Sequence, residues 1–539
     1  MFTPESALAW VLQHPVGGTG RNPWEAPCST STPALELWGN PAAAPAPTPL
    51  GSFASSSAPL DTVFNFSAYT MLATAQDVNV DGQTRERDVD IVDSLINARG
   101  QYALFSPGDY SIAERTLLEA FSNDTGMWSQ WYDFKASAAI YARDHALHTG
   151  DTALLRSLYC STPRCIAVPP GGLFNSLQFE AGLEYYFNAT GSGLLAFPRD
   201  GTCKGSWSCE VLLDWPVGTR DGYDASADNS EDTARSALGA MAAGALADAA
   251  GWVVGADSGD ARAYASTAQG LKDALVRHNL RYFPGENATA WFVDGRVGKS
   301  APQHAAVHST LFACSAGACD GLNASVAGAL TSYLVAHGVP PSSCMMGRWW
   351  VEALYRLGVS VPQAADAALG VLTSPSYPGW LDMLQQGATT TMEAWRPADK
   401  GNLDFAHPWC ASPAFTIIEG TLGVAPTSPA WRTWRLHPQP SSLTALSASI
   451  PTPGGMLAVA YAGAFDASRA NATVSLQVAA GAAVEVCLPM AGPAGQPTPR
   501  SEQLLVDGEA LAAPATKGRL LCTTLSAQGA HTVTRLSSF

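Results

Sequence analysis

"FKASAAIYARDHALHTGDTALLRSLY" occupies residues 134–159. Its first part has no Gly or Pro and is filled with small and apolar residues, which predicts one helix over 134–148. Gly150 then takes the position where a helix ends in a left-handed backbone, and Asp151 is placed to cap a second helix, "TALLRSLY". This is an αα-hairpin. The plan recurs at "DNSEDTARSALGAMAAGALADAAG" (228–251), with capping residues at 228–230 and Gly251 as the stop. Its partner opens at Gly259 and Asp260. "VAGALTSYLVAHGVPP" and "WWVEALYRLGVSVPQAADAAL" supply later hairpins. Repeated antiparallel helix pairs over residues 60–424 predict a mainly α domain, an (α/α)6 toroid of six helical hairpins. Its Ala and Gly residues permit close helix packing.

Both flanks differ from this pattern. "PAAAPAPTPLGSFASSSAP" (41–59) reads as a Pro/Ala/Ser-rich linker, and the residues before it hold Trp10, Trp24 and Trp38 with no period. Residues 1–59 are therefore expected to be an N-terminal segment and linker. After Val424 short alternating runs such as "GMLAVAYAG", "ATVSLQVAA" and "AAVEVCLPM" are separated by Pro, Gly and Asn. Residues 425–539 are expected to form an all-β sandwich. Cys487 and Cys522 lie in two of its apolar runs, either paired or as buried free thiols.

The 539 residues carry a formal charge of -16, which argues against a binder of nucleic acid. No run of ~18 apolar residues is present, so no membrane span is expected. The first fifteen residues lack the basic and apolar regions of a signal peptide. Two other features point to the secretory pathway. Three cysteine pairs have loop-like spacing: Cys160/Cys165, Cys203/Cys209 and Cys314/Cys319. N-x-S/T sequons occur at Asn65, Asn123, Asn188, Asn287, Asn323 and Asn471. The expectation is a secreted glycoprotein whose leader is not seen in this sequence. The alternative is a cytoplasmic protein with reduced thiols and unused sequons.

With 14% charged residues, the chain still gathers six acidic residues and two arginines in "DVNVDGQTRERDVDIVD" (77–93). Asp77, Asn79, Asp81 and Gly82 fit the start of a calcium loop, but Asp88 stands where a bidentate Glu belongs, and Arg85 and Arg87 would crowd a cation. The plainer alternatives are a solvated loop, or arginines that orient the Glu86 carboxylate in a pocket. Some 300 residues on, "YPGWLDMLQQGATTTMEAW" sets Glu393 among small polar residues and tryptophans. Aromatic rings stack on sugars, and paired carboxylates supply acid and base for glycosidic cleavage.

Read together, these stretches resemble the α-L-rhamnosidases, the inverting glycoside hydrolases of family 78. "LDTVFNFSAYTMLATAQDVNVDGQTRERDVDIVD" is similar to the helix and acidic run of that family. "GMWSQWYDFKASAAIYARDHALHTGD", "LLDWPVGTRDGYD", "MMGRWWVEALYRLG", "GATTTMEAW" and "NLDFAHPWCASPAFTIIEGTLGVAP" resemble later family motifs in the same order. The resemblance covers about residues 50–535, with no counterpart here to the β-domains that precede the family's toroid. It implies Glu86 as general acid and Glu393 as general base, with Asp81, Arg85 and Asp93 contacting the sugar. Trp128, Trp215, Trp380 and Trp395 stand as ring-stacking or wall residues, or else as plain core, with His407 beside the base. Asp214, Arg220 and Asp221 belong either to the site or to a structural salt-bridge cluster. Gly82, Gln83 and Thr84 replace the family's Cys-Pro-Gln, and Val89 and Asp90 replace its Gly-Trp.

The expected function is inverting hydrolysis of terminal α-L-rhamnosyl or related deoxysugar residues, with a carbohydrate or rhamnosylated glycoside as partner. Neither cofactor nor metal is expected. The alternative is a non-catalytic carbohydrate-binding protein on the same scaffold.

Overall fold

The computed structural model describes residues 51–76, 78–83, 85–105, 110–122, 131–159, 191–195, 211–223, 231–296, 304–463, 471–490, 501–517 and 519–538. Trp128, the pairs Cys160/Cys165 and Cys203/Cys209, and Asn123 and Asn188 lie outside these residues.

The founding hairpin forms as its sequence dictates. Helix Tyr132–Thr149 ends at Gly150, whose φ of 83° is left-handed, and the Asp151 carboxylate accepts the Leu154 amide at 2.8 Å. Such a cap contributes about 1 kcal/mol. The next long helix, Thr233–Val253, is capped by Asp232 rather than by residues 228–230, and it runs through Gly251. Fifteen of its residues are buried, which identifies this apolar helix as core.

Six segments pack in sequence around a closed ring: Ile91–Leu104, Tyr132–Thr149, Thr233–Val253, Val307–Ser315, Gly347–Gly358 and Pro413–Thr416. The last, continued by the π-helical turn Ile417–Leu422, touches both Gly347–Gly358 and Ile91–Leu104 and so closes it. Every residue of Val307–Ser315 is buried, as an inner helix requires. Helices Ala58–Ala73, Ser111–Ser122, Gly259–His278, Ala324–His337 and Pro362–Leu372 alternate with these along the chain. Their exposed residues lie on one face. Gly259–His278, for example, buries Ala261, Ala268, Leu271, Ala274 and Leu275 at helical spacing.

Beyond the ring two sheets share one apolar core. The seven-stranded sheet runs in the order 52–55, 445–452, 455–463, 471–478, 529–538, 501–506 and 509–510. The five-stranded sheet runs 515–517, 520–525, 483–489, 433–436 and 424–426. Alternation sets the register: Ala472, Val474, Leu476 and Val478 face inward while Asn471, Ser475 and Gln477 face out. One strand comes from an unexpected place. Residues 52–55, within the stretch expected to be linker, pair antiparallel with Ala445–Thr452, Phe53 opposite Ala448. Only Phe53 in "SFAS" signals a buried face, so nothing local announces a strand.

Candidate functional site

The acidic stretch lies at the N-terminal end of helix Ile91–Leu104, which packs against the turn Pro408–Cys410 that precedes Pro413–Thr416. Asp81 and Asp88 close a loop: the Asp81 amide donates to Asp88 O at 3.0 Å, and the Asp88 amide donates to Asp81 Oδ1 at 2.9 Å. Arg85 and Glu86 are carried between them. Asp90 then caps helix Ile91–Leu104 by accepting the Val92 amide at 3.1 Å, and Asp93 sits in its first turn. Orphan amides and the helix dipole favour carboxylates at both positions.

Glu393 approaches from the other end of the chain. Its amide donates to Asp404 O, and the Asp404 amide donates to its Oε2, both at 2.9 Å. Trp409 Nε1 donates to Glu393 O at 2.9 Å. Two cations meet Glu393 Oε1, Arg85 Nη2 and Lys400 Nζ, each at 2.9 Å. The other arm of the Arg85 guanidinium holds Glu86. One guanidinium therefore spans Glu86 and Glu393. Glu393 is buried, whereas the Glu86 side chain keeps 41% of its surface.

Behind this pair lies a second acidic layer. Burial, then the charge of Asp81, pushes the Asp93 carboxyl well above the usual carboxylate range. Asp90 keeps some accessible area yet sits deep among protein atoms. Burial and the adjacent Asp93 raise it likewise, and the two side chains are hydrogen-bonded. Burial also raises Asp81, and it lowers His407 below the ordinary imidazole value despite the surrounding carboxylates. His407 Nδ1 lies 2.9 Å from Asp93 Oδ1, off the line that a good hydrogen bond needs.

The bacterial α-L-rhamnosidase six-hairpin glycosidase domain matches residues 199–417, and the bacterial α-L-rhamnosidase C-terminal domain matches 423–501. Together they span more than half of the sequence. The chain belongs to the bacterial α-L-rhamnosidase family. An α-L-rhamnosidase of Alteromonas sp. (strain LOR) is 29% identical over 123 residues, 21% of this chain and 13% of that protein. The α-L-rhamnosidase structure from Dictyoglumus thermophilum superposes with a TM-score of 0.66 at 14% identity, over 91% of this chain and 51% of that one. The Streptomyces avermitilis α-L-rhamnosidase, in complex with L-rhamnose, gives 0.59 at 14% identity, over 91% and 42%. The chain thus spans about half, or less, of the length of these relatives.

Two departures from the rhamnosidase motif have structural reasons here. A Cβ at Gly82 would collide with the Asp404 carboxylate, so Gly82 makes room for a buried acid beside Asp81. Asp90, where the family has Trp, serves as the helix cap. The calcium-like start is otherwise engaged: Asn79 Oδ1 accepts from Gln101 Nε2 at 2.6 Å and Asp81 Oδ1 takes the Asp88 amide. Asp77 lies outside the described residues.

The tryptophans divide. Trp215 is half-buried next to Asp214. Trp380 has no exposed surface. It donates to Cys410 O at 2.6 Å and meets Trp395 edge-on, with centroids 5.2 Å apart. Trp395 is 3% exposed and donates to Ser342 O. Both are buried and present no open ring face for a sugar in this conformation. Asp214 is wholly buried, accepting the Trp215 and Ser343 amides and facing His308 Nε2 at 2.9 Å. Arg220 donates to Asp214 O, and Asp221 accepts the Val307 amide. Lys400, Asp404 and Trp409 were not anticipated. "DKGNLD" resembles any polar loop until the chain folds it onto Glu393.

Proposed function

We propose that the protein hydrolyses terminal α-L-rhamnosides, or glycosides of a related deoxysugar, with inversion of the anomeric carbon. The observation that carries this reading is the placement of Glu86 and Glu393, from opposite ends of the ring domain, on the two arms of one guanidinium. Inverting pairs stand ~6.5–9.5 Å apart to admit a water, and here the Arg85 guanidinium stands between the two carboxylates. Glu86, on the solvent side, protonates the departing oxygen. Glu393, buried and already surrounded by donors, takes a proton from water on the opposite face of the sugar. Arg85 must leave the gap as the sugar enters, and Lys400 then remains on the base. Asp81, Asp90 and Asp93 offer carboxylate oxygens to the sugar hydroxyls. Trp215 supplies an apolar wall.

Incubation with p-nitrophenyl α-L-rhamnoside tests the reading. Wild type is expected to release nitrophenol and to give the β-sugar first by NMR. Glu86→Gln should lose more activity on alkyl or flavonoid rhamnosides than on the nitrophenyl glycoside, whose good leaving group needs little acid assistance. Binding of rhamnose without hydrolysis of any of these substrates overturns the enzymatic reading in favour of a binding protein.

We also propose an oxidising compartment. It is supported by disulfides at Cys314–Cys319, Cys344–Cys410 and Cys487–Cys522, and by the exposure of Asn65, Asn287, Asn323 and Asn471. Protein from a eukaryotic secreting host should shift in mobility when N-glycans are removed. An unshifted band with six freely labelled thiols contradicts the proposal.

A further inference from the structure

The three disulfides among the described residues are not alike. Cys314–Cys319 closes five residues at the end of one helix. Cys487–Cys522 joins two strands already paired at that register. Cys344–Cys410 crosses 66 residues and joins two 3₁₀ turns, Cys344–Met346 and Pro408–Cys410, with Cα atoms 5.0 Å apart and both cysteines fully buried.

Between those turns runs the segment that carries Glu393. Cys344 Sγ lies 3.5 Å from Met392 O. On one side Trp395 Nε1 donates to Ser342 O at 3.1 Å. On the other, the His407 amide donates to Thr391 O and Thr391 Oγ1 donates to His407 O, each at 2.8 Å. Trp409 Nε1 holds Glu393 O, as above. The first turn is itself fixed to the Trp215 segment, because the Ser343 amide donates to Asp214 Oδ2, and Asp214 Oδ1 accepts the Trp215 amide. Residues 391–395 thus lie between two loops that Cys344–Cys410 joins covalently, and no regular secondary structure supports them.

We propose that the Cys344–Cys410 disulfide is a positioning clamp for Glu393. It ties the loop holding His407 and Trp409 to the loop holding Trp395 and, through Asp214, the Trp215 wall. The proposal rests on Glu393 as the general base, but the clamp itself is a statement about backbone order. Without the covalent link the two loops separate, the hydrogen bonds at Thr391 and Glu393 open more often, and the carboxylate departs from its place opposite Glu86. A catalytic group displaced by ~1 Å can lose about 10²-fold in rate.

The test compares Cys344→Ala/Cys410→Ala with Cys314→Ala/Cys319→Ala. Cys344→Val/Cys410→Ala is the volume-preserving version should the first fail to fold. Two quantities are read: native-state hydrogen exchange over residues 391–409, and kcat and KM for p-nitrophenyl α-L-rhamnoside. The clamp variants are expected to exchange the Glu393 and His407 amides at least about tenfold faster, and to lose kcat by about tenfold or more with KM within about threefold. The Cys314/Cys319 pair should match wild type in both readings. Unchanged exchange over 391–409 in the clamp variants overturns the proposal, whatever the activity. So does an equal loss of kcat in the two cysteine pairs. Inactive wild-type protein instead removes the hydrolytic reading, and the exchange comparison still decides the clamp.

Discussion

Glu393→Gln is expected to lose ~10²–10⁴-fold in kcat on p-nitrophenyl α-L-rhamnoside while its affinity for free rhamnose stays within a few-fold of wild type. The amide keeps the side chain's length, and its oxygen still accepts the Asp404 amide or one of the two cations. It cannot take a proton from water. A better leaving group offers no relief, because attack by water is compromised with every aglycone. This distinguishes the variant from Glu86→Gln, whose defect should shrink as the leaving group improves. Arg85 retains Glu86 as a partner in the variant, and Lys400 retains Asn402 Oδ1 at 2.8 Å, so the loop is expected to hold. Stopped kinetics and calorimetric titration with rhamnose measure the two quantities. A variant within tenfold of wild-type kcat removes Glu393 from the role of base. A variant that loses rhamnose binding along with turnover makes it a binding residue instead.

The second large effect is on stability. Arg99 lies at the junction of four ring segments, only 13% exposed. Its guanidinium meets Glu352 at 2.7 Å, Glu419 closely and Asp144 at 3.8 Å, and lies 4.4 Å from the centre of the Phe415 ring. Helices Ile91–Leu104, Tyr132–Thr149 and Gly347–Gly358 and the π-turn Ile417–Leu422 are joined by this one side chain. Removing one partner from a buried ionic cluster costs about 3–5 kcal/mol, since the remaining charges are left desolvated. Arg348 still neutralises Glu352, and Arg143 still neutralises Asp144, each at 3.0 Å. Glu419 is left worst off. Arg99→Ala should therefore lower the denaturation midpoint strongly, and Arg99→Ala/Glu419→Gln should recover part of the loss. A single variant destabilised by less than about 1 kcal/mol, or a double variant no better than the single, contradicts the reading of Arg99 as the charge centre of the ring.

Local chemistry wrote much of this protein in its sequence. Gly150 and Asp151 end one helix and start the next through their own backbone preferences. Small residues spaced along "SALGAMAAGALADAA" suit an inner helix, and alternation in "ATVSLQV" fixes which side chains face the sheet core. The candidate acid and base were legible for a different reason: Glu86 and Glu393 lie in motifs that resemble a known family residue by residue. Tertiary structure alone decided the rest. Residues 52–55 become a strand because Ala445–Thr452 offers an open edge, and no pattern within four residues can encode a partner some 390 positions away. Trp380 and Trp395 face inward because their indole N–H groups find carbonyls at Cys410 and Ser342. Lys400 reaches Glu393, Asp404 fills the room left by Gly82, and Cys344 meets Cys410 only when the ring closes and brings its loops to one end. Periodicity and capping act over a few residues. Ion pairs, disulfides and site geometry act across space, and this chain builds its candidate site from loops that its sequence keeps some 300 residues apart.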